Sequence, residues 1–262
     1  MTKRDSAPSG APCWTDLWTS DVEGSRKFYS EVYGWEAQEP SPEFGGYFMF
    51  TRNGVPVAGG MGDMGELQAD NSWKVYLATD DIAKTIESAK AAGAQIISPP
   101  MAVADLGIQS VLVDTTGANL GAWQPGTFPG FTVLDEQGAP SWFELLTRDY
   151  GGAITFYRKV FGWNTNTVGD SDEFRYTVMG DPRGKGELAG IMDASAFLPE
   201  GVRSHWSVYW DVDDVDATIA KIKALGGAVV TDARDTPYGR LAAVSDPAGA
   251  QFKLRRSGRG AG

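Results

Sequence analysis

Residues 140–163, PSWFELLTRDYGGAITFYRKVFGW, restate residues 11–35, APCWTDLWTSDVEGSRKFYSEVYGW. At an offset of 128, Trp14 falls on Trp142, Leu17 on Leu145, Asp21 on Asp149, Phe28-Tyr29 on Phe156-Tyr157, and Gly34-Trp35 on Gly162-Trp163. A second pair repeats at an offset of 133: NSWKVYLATDDIAKTIESAKAAGAQII matches RSHWSVYWDVDDVDATIAKIKALGGAVV, with Trp73 on Trp206, Tyr76 on Tyr209 and Gly93 on Gly226. An internal repeat of this length restricts the chain to two homologous modules, each made of two similar units.

Every unit follows one plan. An alternating run such as WTDLWTSD predicts a strand. An aspartate then caps a helix, as Asp21 does before VEGSRKFYSEVY, and a glycine ends it at Gly34, Gly93, Gly162 and Gly226. Apolar runs joined by turn residues follow, among them Asn53-Gly54, which predicts a hairpin. The pattern reads βαβββ four times, an α+β class with mixed sheets and too few helices for a doubly wound parallel sheet. The expected boundaries are a flexible tail over 1–11, a first module over 12–130, a linker over 131–139, a second module over 140–256 and a second tail over 257–262.

Four βαβββ units, with FYSEVYGW and FYRKVFGW in the first helices and DPAGAQFKL in the last hairpin, resemble the vicinal oxygen chelate superfamily, the glyoxalase, bleomycin-resistance and extradiol-dioxygenase group. The resemblance spans residues 12–256. It implies a cupped mixed sheet per module. In metal-using members it implies His, Gln or Glu on a unit's first strand, seven residues before the closing Asp, and Glu on the last strand, four after the turn glycine. Carried onto this chain, the first-strand positions read as Trp14, Trp73, Trp142 and Trp206, and the last-strand positions as Gly121 and Lys253. An indole offers a metal no lone pair, lysine is a cation and glycine has no side chain. The expectation is no metal and no other cofactor. The single histidine, His205, lies next to Trp206 and is expected on the opposite face of its strand.

Period 2 puts Trp14, Asp16 and Trp18 on one face of the first strand, and Trp142, Glu144 and Leu146 on its equivalent. The sister strands are read with Trp73, Val75 and Leu77, and with Trp206, Val208 and Trp210, on the cup face. Each cup then holds one carboxylate among indoles. Tyr238 and Arg240 of TPYGRLAAV, with Lys253, supply polar partners to the second cup, whereas Gln109 and Gly121 stand in the first. The plain alternative is packing: strand-face tryptophans are commonly core, and a mid-strand acid can serve a cross-module ion pair.

Composition narrows the functional classes. A net charge of −11 excludes a nucleic-acid backbone as the expected partner. No apolar run is long enough for a membrane span. One cysteine, Cys13, fits a reducing cytoplasm. There is no phosphate loop, no nucleophile elbow and no histidine-based triad. Two readings remain, and activity is open between them. One is a metal-free binding protein that holds a planar or aromatic small molecule in a Trp-lined cup, as monomer or homodimer. The other is a metal-independent lyase, isomerase or cyclase using Asp16 or Glu144 as general acid or base. A metal-dependent glyoxalase or dioxygenase ranks third.

Overall fold

The computed structural model describes residues 2–3, 5–63, 69–180 and 187–256. The first module contains β2 (Pro12–Trp18), α1 (Val22–Tyr33), β3 (Glu36–Ala37), β4 (Phe48–Arg52) and β5 (Val55–Met61). Its second unit is β6 (Ser72–Ala78), α2 (Ile82–Ala92), β7 (Gln95–Val103), β8 (Gly107–Val113) and β9 (Asn119–Pro125). The second module repeats this as β11 (Pro140–Thr147), α3 (Tyr150–Phe161), β12 (Thr165–Asp170), β13 (Arg175–Gly180) and β14 (Glu187–Asp193). It closes with β15 (His205–Asp211), α4 (Val215–Ala224), β16 (Ala228–Thr236), β17 (Gly239–Ser245) and β18 (Gln251–Arg256). A two-residue strand β1 (Thr2–Lys3) pairs with β10 (Val133–Leu134).

The helices start where their aspartates cap them. Asp21, Asp81, Asp149 and Asp214 accept from the backbone N–H three residues on, at 2.9–3.0 Å. Gly34, Gly93 and Gly162 end three of them in the left-handed region. The fourth closes at Leu225, with Gly226 left-handed beside it. α1 and α3 bury the same stripe, Phe28, Tyr29, Val32 and Tyr33 in one, Phe156, Tyr157, Val160 and Phe161 in the other.

Each module forms one eight-stranded mixed sheet, ordered β3-β4-β5-β2-β6-β9-β8-β7 and β12-β13-β14-β11-β15-β18-β17-β16. The first strands of the two units, β2 with β6 and β11 with β15, meet antiparallel at the centre. Each also pairs in parallel with the last strand of its own unit.

The central register corrects the expected faces. Trp14 lies opposite Tyr76 and Asp16 opposite Lys74, whereas Trp73 lies opposite Leu17. In the second module Trp142 lies opposite Tyr209 and Glu144 opposite Ser207, whereas Trp206 lies opposite Leu145. Directly opposed residues share a face. Trp73, Val75, Leu77, Trp206, Val208 and Trp210 therefore turn away from Asp16 and Glu144, toward the helices. The physical reason is in the caps. The helix-capping acids are Asp81 and Asp214, the second of each Asp-Asp pair, so seven residues back lie Lys74 and Ser207 and not the tryptophans.

The helix faces of the two modules pack on one another. Trp73 donates to Tyr29 at 3.1 Å and Tyr29 to Asp246 of the other module at 3.1 Å. Trp206 donates to Tyr157 at 2.9 Å and Tyr157 to Asp114 at 2.7 Å. Trp35 donates to the Gly138 carbonyl and Trp163 to the Gly10 carbonyl, again crosswise. In the stretches read as tail and linker, Gly10 and Gly138 exchange backbone hydrogen bonds with Ala78 and Asp211, and Ala11, Phe131 and Ala139 are fully buried. Residues 257–262, the expected second tail, lie outside the described residues.

Candidate functional site: a tyrosine-caged carboxylate in each module

The face turned away from the helices holds one constellation twice. In the first module Asp16 sits in mid-strand, 4 % exposed. Tyr47 and Trp14 each donate to its Oδ1 at 2.8 Å, and Trp14 also reaches the Tyr47 oxygen at 2.9 Å. Tyr76 is a further hydrogen-bond partner of the carboxyl. In the second module Glu144 is also 4 % exposed. Tyr176 donates to its Oε1 and Tyr209 to its Oε2, each at 3.0 Å, while Trp142 donates to the Tyr176 oxygen at 2.8 Å. Tyr47 matches Tyr176 at an offset of 129, and Tyr76 matches Tyr209 at 133.

Two glycines make the cages possible. A Cβ on Gly59 would collide with Tyr47 and Asp16, and one on Gly190 with Tyr176. These glycines lie opposite Asp16 and Glu144 on β5 and β14, and their missing side chains let a tyrosine from the next strand cross to the carboxylate.

Burial dominates the electrostatics. It pushes the Asp16 carboxyl up to about 6, against the lowering effect of Tyr47, Tyr76 and Trp14. Burial, with the adjacent carboxylate second, holds the phenols of Tyr47, Tyr76, Tyr176 and Tyr209 well above the ordinary tyrosine value. They act as proton donors and not as bases.

The modules differ beyond this shared frame. Lys253 donates to Glu144 and, at 3.2 Å, to the Tyr209 oxygen, and lies over the Tyr209 ring. Its repeat equivalent is Gly121, where a Cβ would strike the Tyr76 ring. The first module carries its lysine at Lys74 instead, bonded to Asp70 and set over Trp18. Phe128 stacks edge-on against Trp14 at 4.8 Å, and Trp123 donates to the Phe128 carbonyl at 3.0 Å. Aromatic side chains from the end of the first module thus pack on Trp14, which is 5 % exposed. In the second module Trp142 is half-buried, and Phe174 stacks on Tyr176 at 5.6 Å.

The predicted residues separate into two groups. Trp14, Asp16 and Trp18 share the first face, and Trp142, Glu144 and Lys253 the second. His205, expected away from the cup because Trp206 was read into it, is instead on the Glu144 side, opposite Leu146. Its imidazole is lowered by burial first, with Lys253 adding to that and Glu144 opposing it. Arg240 is on the other side of β17, paired with Asp216 of α4 at 2.7 Å and with Asp235. Lys253 lies opposite Ala243 and Arg240 opposite Arg256, so the two cannot share a face. Tyr238 stands exposed in the β16–β17 turn, its carbonyl accepting from Arg255. The tyrosines were missed, although aligning GGYFMF with EFRYTVM would have exposed Tyr47 and Tyr176.

Residues 139–254 match the Glyoxalase/Bleomycin resistance protein/Dioxygenase superfamily, and residues 14–120 match a glyoxalase-like domain. The protein named "Putative glyoxylase CFP32" of Mycobacterium tuberculosis (strain CDC 1551 / Oshkosh) is 37 % identical over 260 residues, 97 % of each chain. The chain belongs to this superfamily. Anthracycline biosynthesis protein DnrV of Streptomyces peucetius is 35 % identical over 264 residues, covering 94 % of this chain and 92 % of the relative. Among solved structures, the Mn(II)-bound glyoxalase of Novosphingobium aromaticivorans superposes with a TM-score of 0.61 at 16 % identity, over 94 % of this chain and 82 % of its own. The 2,3-dioxygenase LapB of Pseudomonas sp. KL28 gives 0.64 at 14 %, over 96 % and 94 %. These two show the shared fold.

The superfamily includes metal-binding members, so the donor set was tested for fit. Counted from the true caps, the first-strand positions hold Trp14, Lys74, Trp142 and Ser207, and the last-strand positions Gly121 and Lys253. Among the described residues no three His, Cys, Asp or Glu side chains come together to hold a metal. Where a second acid would stand beside Glu144, there is the Lys253 ammonium. These residues do not fit a divalent cation.

Proposed function

We propose that the protein is a small-molecule-binding member of the superfamily that works without the family metal and holds a planar aromatic ligand on the Glu144 face of its second module. The observation that carries this reading is the ion pair of Lys253 with Glu144, fixed by Tyr176 and Tyr209 beside a half-buried Trp142. Aromatic walls with a few convergent polar groups suit a flat ligand. In the first module Phe128 packs on Trp14, the counterpart of the half-buried Trp142, which favours one site per chain. Likeness to proteins named for anthracycline biosynthesis is in keeping with a polycyclic aromatic ligand.

Acid–base catalysis by Asp16 or Glu144 is the weaker reading. Asp16 has a carboxyl in a suitable range but lies under Trp14 and Tyr47. Glu144 already accepts from Tyr176, Tyr209 and Lys253, so its charge is committed to a fixed cation.

Titration with anthraquinone-2-carboxylate and anthraquinone-2-carboxamide, followed by calorimetry and indole emission, tests the proposal. The expected result is one ligand per chain with quenched emission. Absence of heat and quenching with both probes up to the millimolar range removes it.

A further inference from the structure

The internal repeat lets one module serve as a control for the other. Across β7, β8 and β9 the row Met101, Gln109, Trp123 runs over the first module. Across β16, β17 and β18 the matching row is Arg234, Leu241, Arg255. One step along the last strand, on the same face, Gly121 is replaced by Lys253. On the central strand Ser72 is replaced by His205. Four neutral positions in the first module are thus occupied by three cations and an imidazole in the second. The acids on that face are Glu144 and Asp211, which lies beside Arg255. The charge is local: the chain as a whole carries −11.

Lys253 has a donor to spare. An ammonium has three N–H groups; one goes to Glu144 and one to Tyr209. The third has no acceptor among the described residues, and the side chain is 17 % exposed. Glu144 accepts from three donors and is a positioning residue for the ammonium. Arg255 is anchored through the carbonyls of Ser141 and Tyr238, which fixes its guanidinium at the edge of the same face.

We infer that the second module carries an anion subsite in which Lys253, flanked by Arg255 and Arg234, takes a carboxylate or ionised phenolic oxygen of the ligand. This rests on the Glu144 face being the ligand site, as proposed above. The ligand class it selects is an acidic aromatic compound, and the neutral analogue is discriminated against because it offers the third N–H of Lys253 only an uncharged acceptor.

The two anthraquinone probes differ only in that charge and separate the possibilities. With the full chain, the carboxylate should bind about tenfold or more tightly than the carboxamide, as a charge-assisted hydrogen bond requires. Lys253→Met should bring the two together. Because that change strips a buried Glu144 of its cation, the paired variant Glu144→Gln/Lys253→Met is measured beside it and should give the same loss of preference. Equal affinity for both probes in the unaltered chain overturns the anion subsite while leaving the ligand site standing. Preference for the carboxylate that survives both variants overturns the role of Lys253. Binding of neither probe removes the ligand site and the subsite together.

Discussion

Lys253 is bonded to Glu144 from 109 residues away in sequence, within the last strand of the fold. The pair joins the first and last strands of the second module through β15, which lies between β11 and β18. Removing either partner leaves a charge in a site only 6 % and 17 % exposed. Removing both leaves none.

Glu144→Gln and Lys253→Met are each expected to lower stability by roughly 1–3 kcal/mol. The double variant should cost clearly less than the sum of the singles, since neither residual charge remains. Urea unfolding of the four proteins closes this cycle. Additive losses would mean that the two groups do not interact in solution.

The Asp16 carboxyl is held at about 6 against 3.8 in the ordinary state. A folded-state value above the unfolded one means that the folded chain binds the proton more tightly. The stabilisation is therefore fully present below pH 3.8 and is lost as pH rises through about 6. The difference of about 2 units corresponds to on the order of 3 kcal/mol. Asp16→Asn should flatten the fall in melting temperature between pH 4.5 and 7.5 compared with the unaltered chain. An unchanged pH slope would place the effect elsewhere.

Gly190→Ala puts a methyl group where Tyr176 crosses to Glu144. The tyrosine must leave, and Glu144 loses a donor together with the Trp142 contact. The expected loss is roughly 1–3 kcal/mol, with a change in the environment of Trp142 visible in near-ultraviolet circular dichroism. Gly59→Ala should do the same to Tyr47 and Asp16. Variants with unaltered spectra and stability would show that the tyrosines do not hold these positions.

Elemental analysis of the purified, desalted protein is expected to find Zn, Mn, Fe and Ni all well below one equivalent per chain. One equivalent that survives desalting would contradict the reading of Trp142, Ser207 and Lys253 as non-ligands.

The architecture was legible because three local signals agreed: the strand alternation, the capping aspartates and the glycines that close the helices. The carboxylates were legible too, since Asp16 and Glu144 follow Trp14 and Trp142 by one strand period. The sister strands were not, because each carries two consecutive aspartates and the first of each pair was taken as the closing one. A one-residue slip of that kind exchanges the faces of a strand, so Trp73, Trp206 and Trp210 were read into the cup while Tyr76 and Tyr209 were overlooked. Arg240 was misplaced for a related reason. It was set against Gln109, but the residue that lies opposite Arg255 as Gln109 lies opposite Trp123 is Leu241, one step on and on the other face.

The crosswise locks between the modules bear on how the chain is made. When residue 130 has been synthesised, Tyr29 is still waiting for Asp246, 217 residues beyond it, and Trp35 for Gly138, 103 beyond. Trp35 and Trp73, which end against Trp210, and Tyr29, which ends against Phe252, have nothing to cover them. The nascent first half therefore emerges with an uncovered aromatic flank, and holding it in solution falls to the ribosome surface and to chaperones until the second half arrives.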